Sequence, residues 1–207
     1  MRTVQNGIIR DDVCIAMEYD PDIIIEEHPD VYPPSEDSIL LIESLDVHGG
    51  ERILEVGCGS GVVSIHCARN GCDVTSVDIN PFAVELTGSN FERNGLRGNV
   101  KESDVYSSVE GRFDTIVFNL PYLPTDDDAG IISKAWNGGS DGMGPLPELL
   151  ERAPEHLLPN GRVVVVVSSL MEKEALDSVL SGLEVKVLGE LPLFFEVLRV
   201  LEIRGSS

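Results

Sequence analysis

Ile53-Leu54-Glu55-Val56-Gly57-Cys58-Gly59-Ser60-Gly61 is a largely apolar run that ends in a glycine-rich turn. A short strand buried on both faces reads this way, and glycines let the backbone turn tightly and approach a ligand with no Cβ between. A helical pattern over 61–70 follows, so the stretch predicts strand, turn and helix, one unit of a doubly wound α/β fold. Downstream the alternation repeats: strands at 73–78, 99–102, 114–119 and 162–168, helices at 81–94 and 146–158. Beyond the fifth strand a helix at 171–181 leads into strands at 184–191 and 194–202, close enough to pair as a hairpin. The expected fold is a seven-stranded, Rossmann-like α/β sheet with helices on both faces and a C-terminal antiparallel hairpin.

Upstream, Pro33-Pro34 precedes a predicted helix at 35–45, with Ser35 as its N-cap and Ser38 in its first turns. His48-Gly49-Gly50 separates that helix from the first core strand. The chain therefore reads as a single domain, 1–207, with an extension and helix over 1–48 and a core over 49–207. No internal repeat or low-complexity segment interrupts it. One long irregular stretch, 123–145, contains Asp126-Asp127-Asp128 and five glycines, and its place just after the fourth strand favours a functional loop.

Composition narrows the partners. The 207 residues carry 36 acidic and 15 basic side chains, a net charge of -21, and Arg outnumbers Lys eleven to four. Nucleic acid is bound by releasing counterions onto clustered cations, and no such cluster exists here. The acid excess also reads as adaptation to high salt, where self-repulsion is screened. The longest apolar run is only 163–167, short of the roughly 20 residues a membrane span needs, and residues 1–12 have no signal-peptide core. A cytoplasmic protein is expected. Cys14, Cys58, Cys67 and Cys72 lack paired metal-ligand spacing, which implies reduced thiols and no metal site.

Acids set the chemistry of the glycine turn. Glu55 stands two residues before its first glycine, Asp78 ends the second strand in Val77-Asp78-Ile79-Asn80, and Asp104 follows the third in Ser103-Asp104-Val105. A carboxylate in the second position can accept both ribose hydroxyls of a nucleoside, and one in the third can accept the exocyclic amine of adenine. Asp78 has a second reading, as the cap of the helix at 81–94, and Asp104 alone reads as a solvated loop acid. Dinucleotides need G-x-G-x-x-G to seat a pyrophosphate, whereas this chain has G-x-G-x-G beside an acid. That acid repels pyrophosphate and suits an ammonium. S-adenosylmethionine offers an ammonium, a ribose and an adenine to Glu55, Asp78 and Asp104 in turn, with Gly57, Gly59 and Gly61 allowing close approach.

Asn119-Leu120-Pro121-Tyr122 follows the fourth strand, at the edge where open α/β sheets bind ligands. Alone it also suits an ordinary turn. Together with Val31-Tyr32-Pro33-Pro34-Ser35-Glu36-Asp37-Ser38, the glycine turn, Asp78-Ile79-Asn80-Pro81 and Ala135-Trp136-Asn137-Gly138-Gly139-Ser140-Asp141-Gly142, it stands in the order seen in HemK-like release-factor glutamine methyltransferases. The chain resembles the short archaeal and eukaryotic branch of that family over 28–205. The resemblance implies a class I S-adenosylmethionine-dependent methyltransferase acting on the glutamine side-chain nitrogen of the Gly-Gly-Gln motif in a class I peptide-release factor. It places Ser38, Glu55, Gly57, Asp78, Asp104 and Asn119 around the cofactor, and Asn119 and Tyr122 on the target amide.

An amide lone pair is delocalised, so such a site must localise it by accepting both N–H bonds. The Asn119 side-chain oxygen and the Leu120 carbonyl can do this while Tyr122 stacks on the amide plane, and positioning replaces a strong base. Leu120 departs from the family's usual Asn-Pro-Pro-Tyr, keeping the carbonyl and losing proline's rigidity; Pro121 is retained. Trp136-Asn137-Gly138-Gly139 reads either as a wall of the substrate slot or as a pin for the long loop.

An adenine-N6 nucleic-acid methyltransferase would use the same acceptors but must hold a flipped base and its phosphates, which a net charge of -21 disfavours. A non-catalytic module conflicts with the intact cofactor acids. Only about 45 residues precede the core, too few for the helical domain with which longer family members grip the release factor. The resemblance instead implies a heterodimer with a small zinc-binding activator subunit that pairs with the free sheet edge, the third strand near 99–106. The isolated chain is then expected to be poorly soluble or inactive.

Overall fold

Strands that are apolar on both faces must satisfy their backbone groups with one another and cover both sides with helices. The computed structural model describes residues 15–121 and 142–205. In chain order it has β1 (Ile15–Ala16), α1 (Glu36–Ser44), β2 (Asp46–Val47), β3 (Arg52–Val56), α2 (Val62–Arg69), β4 (Asp73–Asp78), α3 (Pro81–Arg93) and β5 (Asn99–Glu102). There follow β6 (Phe113–Phe118), α4 (Leu146–His156), β7 (Leu157–Ser168), α5 (Lys173–Val179), β8 (Leu183–Pro192) and β9 (Val197–Gly205). Seven strands form one sheet in the order β5-β4-β3-β6-β7-β9-β8. The strands from β5 to β7 are parallel, and β9 and β8 add antiparallel. This is the expected Rossmann-like sheet with its C-terminal hairpin, and β5 lies at a free edge, as read from the sequence.

Period-two alternation builds the two cores. Val163, Val165 and Val167 enter one cluster with Ile116, Leu146 and Leu149, while Val164 and Val166 enter the other with Leu41, Ile42 and Ile65. Strand order reverses between β3 and β6, so a crevice opens at their carboxyl ends.

Residues 17–34 form a strap across α2 and α3, held by side-chain amides in place of strand partners. Asn94 accepts from Ile24 N at 2.9 Å and donates to Ile24 O at 2.8 Å; Asn90 treats Glu26 likewise at 2.9 and 3.1 Å and also donates to Ser60 O at 2.9 Å. His66 Nδ1 lies 2.7 Å from Val62 O, and its Nε2 accepts from Asp20 N at 3.0 Å; burial lowers its pKa and favours this neutral form. The strap delivers Val31 to Pro34 to the mouth of the crevice.

Several expectations change. Ser35 sits at the N-cap of α1, but its hydroxyl donates to Glu36 Oε2 at 2.7 Å and makes no cap bond; Glu36 and Asp37 meet the helix dipole instead. The strand read as 162–168 begins at Leu157, because Phe113 pairs with Leu157 across a register shift. The helix read as 171–181 spans only Lys173–Val179. The short β1–β2 pair was not foreseen. Cys58, Cys67 and Cys72 are buried free thiols, and Cys14 lies outside the described residues.

Candidate active site

The turn after β3 is shaped by two glycines that no other residue replaces. Gly57 has φ +66°, and a Cβ there would lie 2.7 Å from the Phe118 ring; Gly61 has φ +79°, and its Cβ would lie 2.8 Å from Thr87. Gly61 is also the N-cap of α2 and has no side chain to cap with. Glu55 supplies the missing acceptor from β3: its Oε2 accepts from Ser64 N at 3.0 Å and from the Ser64 hydroxyl, which lies 2.5 Å from Ser76 Oγ. Burial raises the Glu55 carboxyl to about 8 against these bonds.

Asp78 ends β4 with both oxygens engaged, Oδ2 accepting from Gly59 N at 2.9 Å and Oδ1 from Asn80 N at 2.8 Å. Burial raises its pKa as well. The alternative role as cap of α3 is excluded, since Asn80 is the N-cap and its Oδ1 accepts from Phe82 N at 3.0 Å. Asp104 is exposed after β5 and precedes Val105, a β-branched residue strained at φ +44°.

Asn119 stands at the end of β6. Its Nδ2 lies 3.5 Å from Ser38 Oγ, and its Oδ1 is buried with no hydrogen-bond partner among the described residues. Buried acceptors are rarely left so, and a donor arriving from a ligand satisfies it. The Leu120 side chain is buried in the core, at 2% exposure. Tyr122 and the Trp136-Asn137-Gly138-Gly139 segment lie outside the described residues.

These groups share one cavity of about 420 Å³, within the usual range for small-molecule sites. Ser38, Glu55, Gly57, Gly59, Asp78, Asp104, Asn119 and Pro121 line it; Gly61 and Leu120 stand behind the wall. Among the described residues the wall carries three carboxyl groups and no Lys, Arg or His. Such a wall favours a cation over a phosphate. Sequence reasoning did not single out three further contributors: the strap residues Val31 and Tyr32, Phe118 packed on Gly57, and Ser64 holding Glu55. Only Ser64 had a local signal, a polar residue among the apolar residues of the first turn of its helix.

Comparison with known proteins agrees with this geometry. The methyltransferase small domain family matches residues 23–190. A Methanocaldococcus jannaschii protein, proposed by its name to be a protein N5-glutamine methyltransferase, is 40% identical over 185 residues, covering 86% of this chain and 94% of its own. The motif resemblance to HemK-like enzymes is thereby borne out. In fold, the chain is similar to Mtq2 of the E. cuniculi Mtq2-Trm112 complex, described as methylating the translation termination factor eRF1, with TM-score 0.68, 23% identity, and coverage of 86% of this chain and 99% of that one. It is also similar to T. thermophilus RsmC, a 16S rRNA methyltransferase bound to AdoMet and guanosine, with TM-score 0.62, 23% identity, and coverage of 84% and 44%. The corresponding Chromohalobacter salexigens enzyme is 34% identical over 122 residues, 59% of this chain and 33% of that protein. The chain belongs to the methyltransferase small domain family, and its methyl donor is S-adenosylmethionine.

Proposed function

We propose that this enzyme methylates the side-chain amide nitrogen of the glutamine in the Gly-Gly-Gln motif of a class I translation release factor. The observation that carries the reading is the buried Oδ1 of Asn119, unpartnered among the described residues, on a cavity wall whose described residues carry carboxyl groups and no cation. When bound, S-adenosylmethionine supplies an electrophilic methyl on a sulfonium. Glu55 would hold its ammonium, Asp78 its ribose and Asp104 its adenine, with Ser38, Gly57 and Gly59 completing the cradle and Gly61 shaping the turn behind it. Asn119 Oδ1 and the Leu120 carbonyl accept the two amide N–H bonds, so the nitrogen lone pair points along the line of transfer. Tyr122 and Pro121 hold the amide plane. On accepting the methyl the nitrogen would become acidic and lose one proton to water, and S-adenosylhomocysteine would leave as the other product.

An amide substrate needs acceptors and an orienting slot, not a general base, and the site offers that. A nucleic acid would need phosphate contacts that a net charge of -21 opposes. The exposed edge strand β5 is the place for a small zinc-binding activator subunit to pair, making the working enzyme a heterodimer of the cytoplasm. The test is transfer of radiolabelled methyl to an intact release factor, with a ribosomal RNA control, with and without that subunit. Label in the Gly-Gly-Gln peptide, found by mass spectrometry and lost when the glutamine is replaced by Asn, is the expected result. Label in the RNA and none in the factor overturns the assignment.

A further inference from the structure

The tip of the β8–β9 hairpin is Phe194-Phe195, closed by Leu193 N donating to Glu196 O at 2.8 Å. Two-residue tips favour Asn, Asp or Gly, which accept the tight backbone. Here the two phenylalanines are 90% and 85% exposed, with their rings edge to face at 4.6 Å. Leu193 beside them and Leu170 on the turn after β7 are exposed too. Nothing in the fold requires large apolar residues at this place.

The tip is firmly held. Ser168 Oγ donates to Glu196 Oε2 at 2.5 Å, Val197 N to Ser169 Oγ at 2.9 Å and Ser169 N to Val197 O at 2.9 Å. It also faces the right way: Phe118 is level with Val165 on β7, and Val165 with Leu201 on β9, so the tip projects beyond the carboxyl edge on the side of Asn119. At a strand spacing of about 4.8 Å and a rise of about 3.3 Å per residue, the tip stands roughly 10–15 Å sideways from Asn119 and roughly 20 Å beyond it, about 25 Å in all. A standard interface covers about 800 Å² per partner, roughly 30 Å across, so one partner reaches both. Where α5 starts from the same turn, exposed Glu172, Glu174 and Asp177 outnumber the one cation among them, Lys173, which is paired with Asp177, so the rim is net acidic. A polypeptide that rings an apolar patch with basic residues is the complement of this rim.

We propose that Phe194 and Phe195 are the docking anchor for the polypeptide substrate, a release factor that seats an apolar patch ringed by basic residues on the tip while its glutamine enters at Asn119. This rests on the substrate proposed above and adds the surface that recognises it. The experiment compares the full chain with its F194S/F195S variant, each saturated with S-adenosylhomocysteine and paired with its activator subunit, for binding to intact release factor by biolayer interferometry. The Kd is expected to rise about tenfold or more. KM for the intact factor rises by a similar factor while kcat holds, and cofactor affinity and melting temperature stay unchanged because both rings are solvent-exposed. A short Gly-Gly-Gln peptide, which cannot reach the tip, is methylated equally by both proteins. Equal Kd values for the two proteins overturn this proposal and leave the substrate assignment standing. Failure of the unaltered protein to bind or methylate the factor overturns both. Self-association lost in the variant, with substrate Kd unchanged, gives the tip to a second copy and also overturns it.

Discussion

Asn119 holds a buried acceptor without a donor among the described residues, and Glu55 holds a buried carboxyl whose one oxygen already serves a helix. Both are costly unless a ligand uses them. Asn119→Ala is expected to lower methyl transfer to the release factor at least about a hundredfold, the usual cost of losing one oriented group at a reacting centre. Calorimetry should find cofactor affinity little changed. Glu55 makes a pH prediction whose sign is fixed by its pKa, raised by burial to about 8 from the ordinary carboxyl value of 4.5. The neutral carboxyl is favoured on folding, so its stabilising contribution is full below about 4.5 and is lost as pH rises through about 8. An ammonium reverses this preference, and S-adenosylmethionine binding at about pH 7 is expected to release a proton. Calorimetry in phosphate and in Tris should therefore give different apparent enthalpies. Glu55→Gln keeps an acceptor for Ser64 and should erase the difference; buffer-independent enthalpy in the unaltered protein would mean that Glu55 does not meet the ammonium.

Helix α2 and the strap show how elements depend on distant residues. Gly61 must be glycine to make the turn, so α2 is capped from β3 by Glu55. The strap has no strand partner, and Asn90 and Asn94 each give it a matched donor and acceptor. Asn90→Ala breaks bonds to Glu26 and Ser60 and is expected to cost about 2–3 kcal/mol, read from the urea midpoint. Cofactor affinity should fall with it, because the strap carries Val31 and Tyr32 to the cavity wall. An unchanged midpoint would show that α3 does not hold the strap.

Charge acts on the whole molecule. At the amino end of the sheet Arg162, 7% exposed, draws Asp46, Glu51 and Glu202 together and donates from Nε to Thr115 Oγ1 at 3.0 Å, tying β2, β6, β7 and β9. Elsewhere the pairs are exposed ones such as Arg93 with Glu26 and Arg199 with Glu190, acids still outnumber cations, and a net charge of -21 on one small domain repels itself. Raising KCl from about 0.1 M to about 2 M screens that repulsion and is expected to raise the melting temperature. A flat response would mean that the acid excess is not a salt adaptation.

Local chemistry made most of this molecule legible in advance. Alternating β-branched runs marked the strands, and glycine spacing, the strand-end acids and Asn119 marked residues that meet at one cavity, because each is a property of residues adjacent in the chain. Other features require residues far apart to meet. The sequence does not tell that Glu55 caps α2, that Asn80 and not Asp78 caps α3, or that Asn119 Oδ1 lacks a partner among the described residues. Nor does it show that the strap walls the cavity or that Phe194 and Phe195 face the same edge as Asn119. A side chain's partners, its burial and the direction it faces depend on which elements the sheet order brings together, and those contacts span dozens of residues.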